Sequence, residues 1–189
     1  MKIRFLLPII ALSVLVMYSC KPKATTSTGG EFKSLNLPCQ KEGRSSSTHF
    51  RAADMGTSIN LSTSKSKALL NAKTRLAGLI ESTIKSVTEQ YTNEIDVGDK
   101  KEFEQSFEQM TRDITKQTLV EVGITCEETG KNAKGEFETY IAIEVSKDAI
   151  YNGVNKGIDK DKKLQLAYDK MKFKEKFDEE MDKLERDGR

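Results

Sequence analysis

The side chains that could do chemistry are few. Three cysteines, Cys20, Cys39 and Cys126, and a single histidine, His49, are spread over 189 residues that contain no tryptophan. A thiol can take up a lipid, form a disulfide or bind a metal, and spacing decides among these. With no CxxC or HxxxH pattern present, neither a zinc site nor a redox dithiol is indicated. His49 has no second histidine with which to share an ion and no triad pattern around it, so it reads as a partly exposed residue at a strand end. The chain lacks a base to activate its many serines. It reads as a non-enzyme, with no catalytic residue, cofactor site or metal site assigned.

Cys20 closes the stretch FLLPIIALSVLVMYSC, which follows Met1-Lys2-Ile3-Arg4. Two basic residues, about a dozen apolar ones and a small residue before the break make the three-part build of an export signal. A transmembrane helix needs roughly 20 apolar residues, whereas this run is shorter and Lys21 and Lys23 end it. Cleavage is favoured over an uncleaved anchor. Met17-Tyr18-Ser19-Cys20 resembles a bacterial lipobox, and the resemblance implies removal of residues 1–19, a thioether-linked diacylglycerol on Cys20 and an N-acyl chain added after cleavage. Membrane lipid is then the first partner. An ordinary secreted protein is the alternative.

Loss of Lys2 and Arg4 leaves 29 of the 31 basic residues against 29 acidic ones, so the mature chain is neutral. Charges of both signs are interspersed, which gives no footprint for nucleic acid. Residues 20–34, CKPKATTSTGGEFKS, are small and polar without apolar periodicity and read as a lipidated tether. The lipoprotein resemblance extends to the next position: Lys21 in place of an aspartate implies the outer membrane, and the absence of an acidic cluster after Cys20 implies its periplasm-facing leaflet.

Two cysteines remain. Residues 35–39, LNLPC, form a short apolar stretch that Pro38 confines to an edge strand or a strand end. Cys126 lies in an expected strand far along the chain. Either the two form a disulfide that clips the N-terminal segment onto a sheet, or they are buried free thiols; an oxidising compartment favours the bridge.

The elements that must position these groups follow from periodicity. Residues 49–58 read as a first strand, with Gly56 marking a kink or a close backbone approach. Leu61, Ala68, Leu69, Ala72, Leu76, Leu79, Ile80, Ile84, Val87 and Tyr91 recur at helical steps and lay one stripe along a helix of about eight turns. Asn60 or Ser62 can cap it. After a loop over 92–100, Phe103, Phe107, Met110 and Ile114 mark a second helix. Val120, Val122, Ile124 and Cys126 would share one face of a strand. Phe137, Thr139, Ile141, Ile143 and Val145 would share that of another, the polar residues 127–136 joining the two as an antiparallel hairpin. The apolar face of the hairpin needs a cover, and the long helix offers one. A further helix capped at Ser146 is weakened near its start by Gly153 and Gly157. In the charged tail, residues 160–189, Leu166, Phe173, Phe177, Met181 and Leu184 form a narrow seam, which either folds back or pairs with a partner helix or second subunit.

Phe50-Arg51-Ala52, the ALLNAKTRLA segment over residues 68–77 and the Tyr140-Ile141-Ala142-Ile143 strand together resemble the LPP-twenty family of bacterial envelope lipoproteins, FlgP-like proteins among them. The resemblance spans roughly residues 48–146. It implies a helix packed on an antiparallel sheet and attachment through lipid, and it brings no catalytic residue with it.

The expected fold class is therefore α+β: a long amphipathic helix and a second helix on a small antiparallel sheet, in the order β-α-α-β-β, followed by a charged C-terminal helix. The expected organisation is a signal over 1–19, a tether over 20–34, an α+β domain over 35–159 and a charged helix over 160–189. Function is expected to be structural or interactive in the envelope, with an envelope protein or a second copy as possible company. The alternative is a small binding module holding an apolar ligand or cell-wall fragment between helix and sheet.

Overall fold

The structure, a computed structural model, describes residues 35–188. Cys20, the expected export signal and residues 21–34 of the expected tether lie outside them. The order is β1 (His49–Ser58), α1 (Leu61–Glu94), α2 (Lys100–Thr118), a 3-10 turn (Leu119–Glu121), β2 (Gly123–Lys131), β3 (Phe137–Ser146), α3 (Lys147–Ile158), α4 (Lys162–Ala167) and α5 (Lys170–Asp187). The strands form one antiparallel sheet in the order β1-β3-β2. This is the α+β class that the periodicities point to.

The stripe on α1 is what covers the sheet. Asn60 caps the helix by accepting from the Thr63 N–H at 3.1 Å, and Ala68, Ala72, Leu76, Ile80, Ile84, Val87 and Tyr91 are all buried. The alanines let the helix come close, and β1 answers with Gly56. A Cβ built at Gly56 would lie 2.4 Å from both the Ala68 nitrogen and the Ser64 carbonyl oxygen. Beside it, Ser64 Oγ donates to the Gly56 carbonyl at 2.7 Å and lies 2.8 Å from Thr139 Oγ1, itself 3.0 Å from Thr129 Oγ1. One proton per hydroxyl satisfies the row if Thr129 donates to Thr139 and Thr139 to Ser64. Gly56→Ala is expected to cost about 3 kcal/mol by forcing helix and strand apart, seen as a lowered urea midpoint with unchanged slope.

The sheet departs from its sequence pattern at β2. Residues 119–121 turn as a 3-10 helix and leave Val120 76% exposed, and the strand begins only at Gly123. It then runs on to Lys131, so half of the expected polar connection is strand and the hairpin turn is short. A bulge falls between Ile124, which pairs with Ile143, and Cys126, which pairs with Ala142. The inserted residue puts Ile124 on the α1 side and Cys126 on the opposite face, so these two side chains do not share a face. Strict alternation cannot reveal an inserted residue. In β3 it holds: Thr139, Ile141, Ile143 and Val145 are buried toward α1.

The tail folds back. Phe173, Phe177, Met181 and Leu184 are buried, and α5 lies against α1. Phe173 packs its ring 5.2 Å from that of Phe107, tilted, and 5.9 Å from that of Tyr91, edge-on; Phe177 lies 6.1 Å from Phe50 and from Tyr151. The Tyr91 hydroxyl donates to the Ala167 carbonyl at 2.8 Å and accepts from the Asp169 N–H at 2.7 Å, which ties the α4–α5 corner to α1. Burial raises its pKa. The seam itself differs at one position: Leu166 is 90% exposed and Leu164 is buried instead. The chain breaks after Ala167 and Asp169 caps a new helix, so the heptad spacing does not carry across. Gly153 and Gly157, which cost α3 helix propensity, have a packing reason. A Cβ at Gly153 would sit 2.7 Å from Ile114 Cγ2, and one at Gly157 would sit 2.4 Å from Met110 Sδ, so α2 needs both glycines to close on α3.

Two carboxylates on α5 report on pH. Desolvation would raise Asp178 and Glu180, but hydrogen bonds outweigh it and hold both below their ordinary values: Lys174 and Lys147 on Asp178, Lys183 and Gln90 on Glu180. The unfolded chain therefore binds these protons first as pH falls. The stabilisation is present above about pH 4.5 and is lost as pH falls from there through the lowered values. Asp178 is half-exposed, and solvent screening keeps each contribution to about 1 kcal/mol or less. Asp178→Asn with Glu180→Gln is expected to flatten the acid limb of stability against pH, measured by urea unfolding.

Candidate functional site

The structure brings Cys39 and Cys126 together as a disulfide, S–S 2.04 Å and Cα–Cα 5.5 Å, across 87 residues of sequence. It differs in the segment that carries Cys39. Residues 35–39 form no strand: Pro38 and Cys39 sit in turns, with the Gly43 N–H donating to the Cys39 carbonyl at 3.1 Å. The loop from residue 36 to residue 48 lies over the sheet face away from α1. Ala142, on that face, is fully buried beneath it. A Cβ at Gly43 would meet Ala53 Cβ at 2.4 Å, so only glycine allows the loop to lie so close. Cys39 itself has φ 57°, a left-handed conformation rare for a residue with a side chain.

His49 stands half-buried at the start of β1 with Nδ1 3.0 Å from Thr48 Oγ1. Among the described residues one group of three could offer metal-ligand atoms together: Cys39, Cys126 and Glu128, within 4.8 Å of one another. Its two sulfurs are bonded to each other. A metal takes thiolate, so this group has no thiolate to offer while the bridge stands.

β1 is an edge strand, and side chains occupy its outward peptide groups. Ser45 Oγ accepts from the Arg51 N–H and donates to its carbonyl, Asp54 Oδ1 accepts from the Met55 N–H, Asn71 donates to the Met55 carbonyl and Lys67 to that of Thr57. Another strand adding there would have to displace them. A cleft of about 730 Å³ follows this edge, walled by the Cys39 loop on one side and by α1 near Arg75 and Leu79 on the other. No protein-family model, curated protein or solved structure matches this chain.

The interface between α1 and the sheet is closed to solvent, with Ala68, Ala72, Leu76 and Ile80 of α1 fully buried, as are Ile143 and Phe50 opposite. One open cleft lies at the sheet's edge. Its charged residues, Arg44, Arg51, Arg75 and Asp54, come from three separate segments, and no spacing in the sequence connects them. No helix among the described residues is long and apolar enough to cross a membrane.

Proposed function

We propose that this protein is a bacterial envelope lipoprotein of the LPP-twenty kind, held in the outer membrane by acyl chains on Cys20 and presenting its folded part to the periplasm as a structural or interaction module. The observation that carries the reading is the Cys39–Cys126 disulfide, because such bonds persist in exported proteins and are rare in a reducing cytosol. It agrees with an export signal that ends at a cysteine. The strand, helices and hairpin over residues 48–146 have the arrangement that the family resemblance implies. Two or three acyl chains meet the requirement of two signals for stable anchoring, each buried CH2 contributing about 0.8 kcal/mol.

The rival reading, a module that holds a ligand between helix and sheet, is less favoured because the side chains there are closed to solvent. Anchoring is tested by fractionation: Cys20→Ser is expected to move the protein from the membrane pellet to a soluble or unprocessed pool. A variant that is cleaved and still as firmly held as the parent would argue against the lipid.

A further inference from the structure

We propose that the cleft along the β1 edge binds an anionic amphiphile, a carboxylate or phosphate head carried on an apolar body, and that Arg44 and Arg75 hold the head. This does not depend on Cys20. Three guanidiniums line the cleft, from Arg44, Arg51 and Arg75, against a single carboxylate, Asp54. Arg51 is engaged by Glu144 at 2.8 Å on the sheet, both half-buried. Arg75 reaches Asp54 only at 3.5 Å, and its side chain is 66% exposed. Arg44 has no ion-pair partner among the described residues. The cleft thus holds one unpaired guanidinium from the loop and one loosely paired guanidinium from α1, and a guanidinium binds oxyanions through paired N–H donors in fixed geometry.

The rest of the lining suits an apolar body. Leu37 and Pro38 on the loop, Met55 on β1 and Leu79 on α1 supply it. The volume lies within the range of small-molecule sites, roughly 300–1,000 Å³. The wall that bears Arg44 is also firmly fixed. It takes a covalent bond, a contact only glycine permits, and a non-glycine residue at φ 57° to keep a loop without regular structure in place. One residue held in the left-handed region, Cys39, is a local strain of the kind that clusters at binding sites. The loop is already in position before a ligand arrives, which lowers the ordering cost of binding.

The test uses purified Cys20→Ser protein with three soluble probes, laurate, dihexanoyl-phosphatidate and inorganic phosphate, titrated by calorimetry. One or both amphiphiles are expected to bind saturably at one site, at least tenfold tighter than inorganic phosphate; which of them binds tells a fatty-acid carboxylate from a lipid phosphate. Arg44→Ala with Arg75→Ala is expected to weaken that binding at least tenfold while the thermal midpoint stays put, since both side chains are exposed. Absence of saturable amphiphile binding, phosphate binding as tightly as the amphiphiles, or undiminished binding by the folded double variant would overturn the proposal. Because the lipid on Cys20 is absent throughout, failure here says nothing against anchoring, and failure of anchoring says nothing against the cleft.

Discussion

A chain ending at residue 159 will not fold. The missing tail removes Phe173, Phe177, Met181 and Leu184, each of them buried, and burial of such a side chain contributes about 1.5–3 kcal/mol. Four together come to roughly 8 kcal/mol, comparable to the whole stability of an ordinary domain. The loss also uncovers Tyr91 and Phe107, which pack their rings on Phe173, and removes both hydrogen bonds to the Tyr91 hydroxyl. Phe173→Ala is the milder form of the same experiment, expected to cost about 4 kcal/mol. Circular dichroism and urea unfolding read both. A truncated chain that unfolds cooperatively near the parent's midpoint would mean that α5 is an appendage.

Opening the Cys39–Cys126 bridge is expected to lower stability by about 4 kcal/mol, because the bridge closes a loop of nearly 90 residues in the unfolded chain. Cys39→Ser with Cys126→Ser is compared with the parent by urea unfolding without reductant. The effect should extend beyond the midpoint. Released from the sheet, residues 36–44 should exchange their amide protons quickly and become cleavable, while α1 and β3 stay protected. A double variant as stable as the parent, with the loop still protected, would leave the bridge no structural role.

Much of this was legible in the residues. β1, α1 and β3 are long and periodic, and their patterns of burial follow the alternation of Ile141, Ile143 and Val145 and the stripe from Ala68 to Tyr91. β2 was not legible in the same way. Its bulge places Ile124 and Cys126 on opposite faces, and its polar half, Glu127 to Lys131, has the composition of a loop yet pairs along β3 because the hairpin turn sits further on. Leu166 shows the same limit from the helical side. A seam read at constant spacing assumes one continuous helix, whereas Asp169 starts a new one. Glycines carried two meanings that sequence alone could not separate: Gly56 gave the close approach that its position suggests, while Gly153 and Gly157 are contact points for Ile114 and Met110. The cleft had no signature at all. Arg44, Arg51 and Arg75 meet only through the disulfide, the β1 edge and the lie of α1.

Anchoring through Cys20 is most directly tested by mass spectrometry of the N-terminal peptide from protein extracted from membranes with detergent. The expected peptide begins at Cys20 and carries the mass of a diacylglycerol with an added N-acyl chain. A peptide that begins at Met1, or one that begins at or near Cys20 without acyl mass, would contradict the proposal.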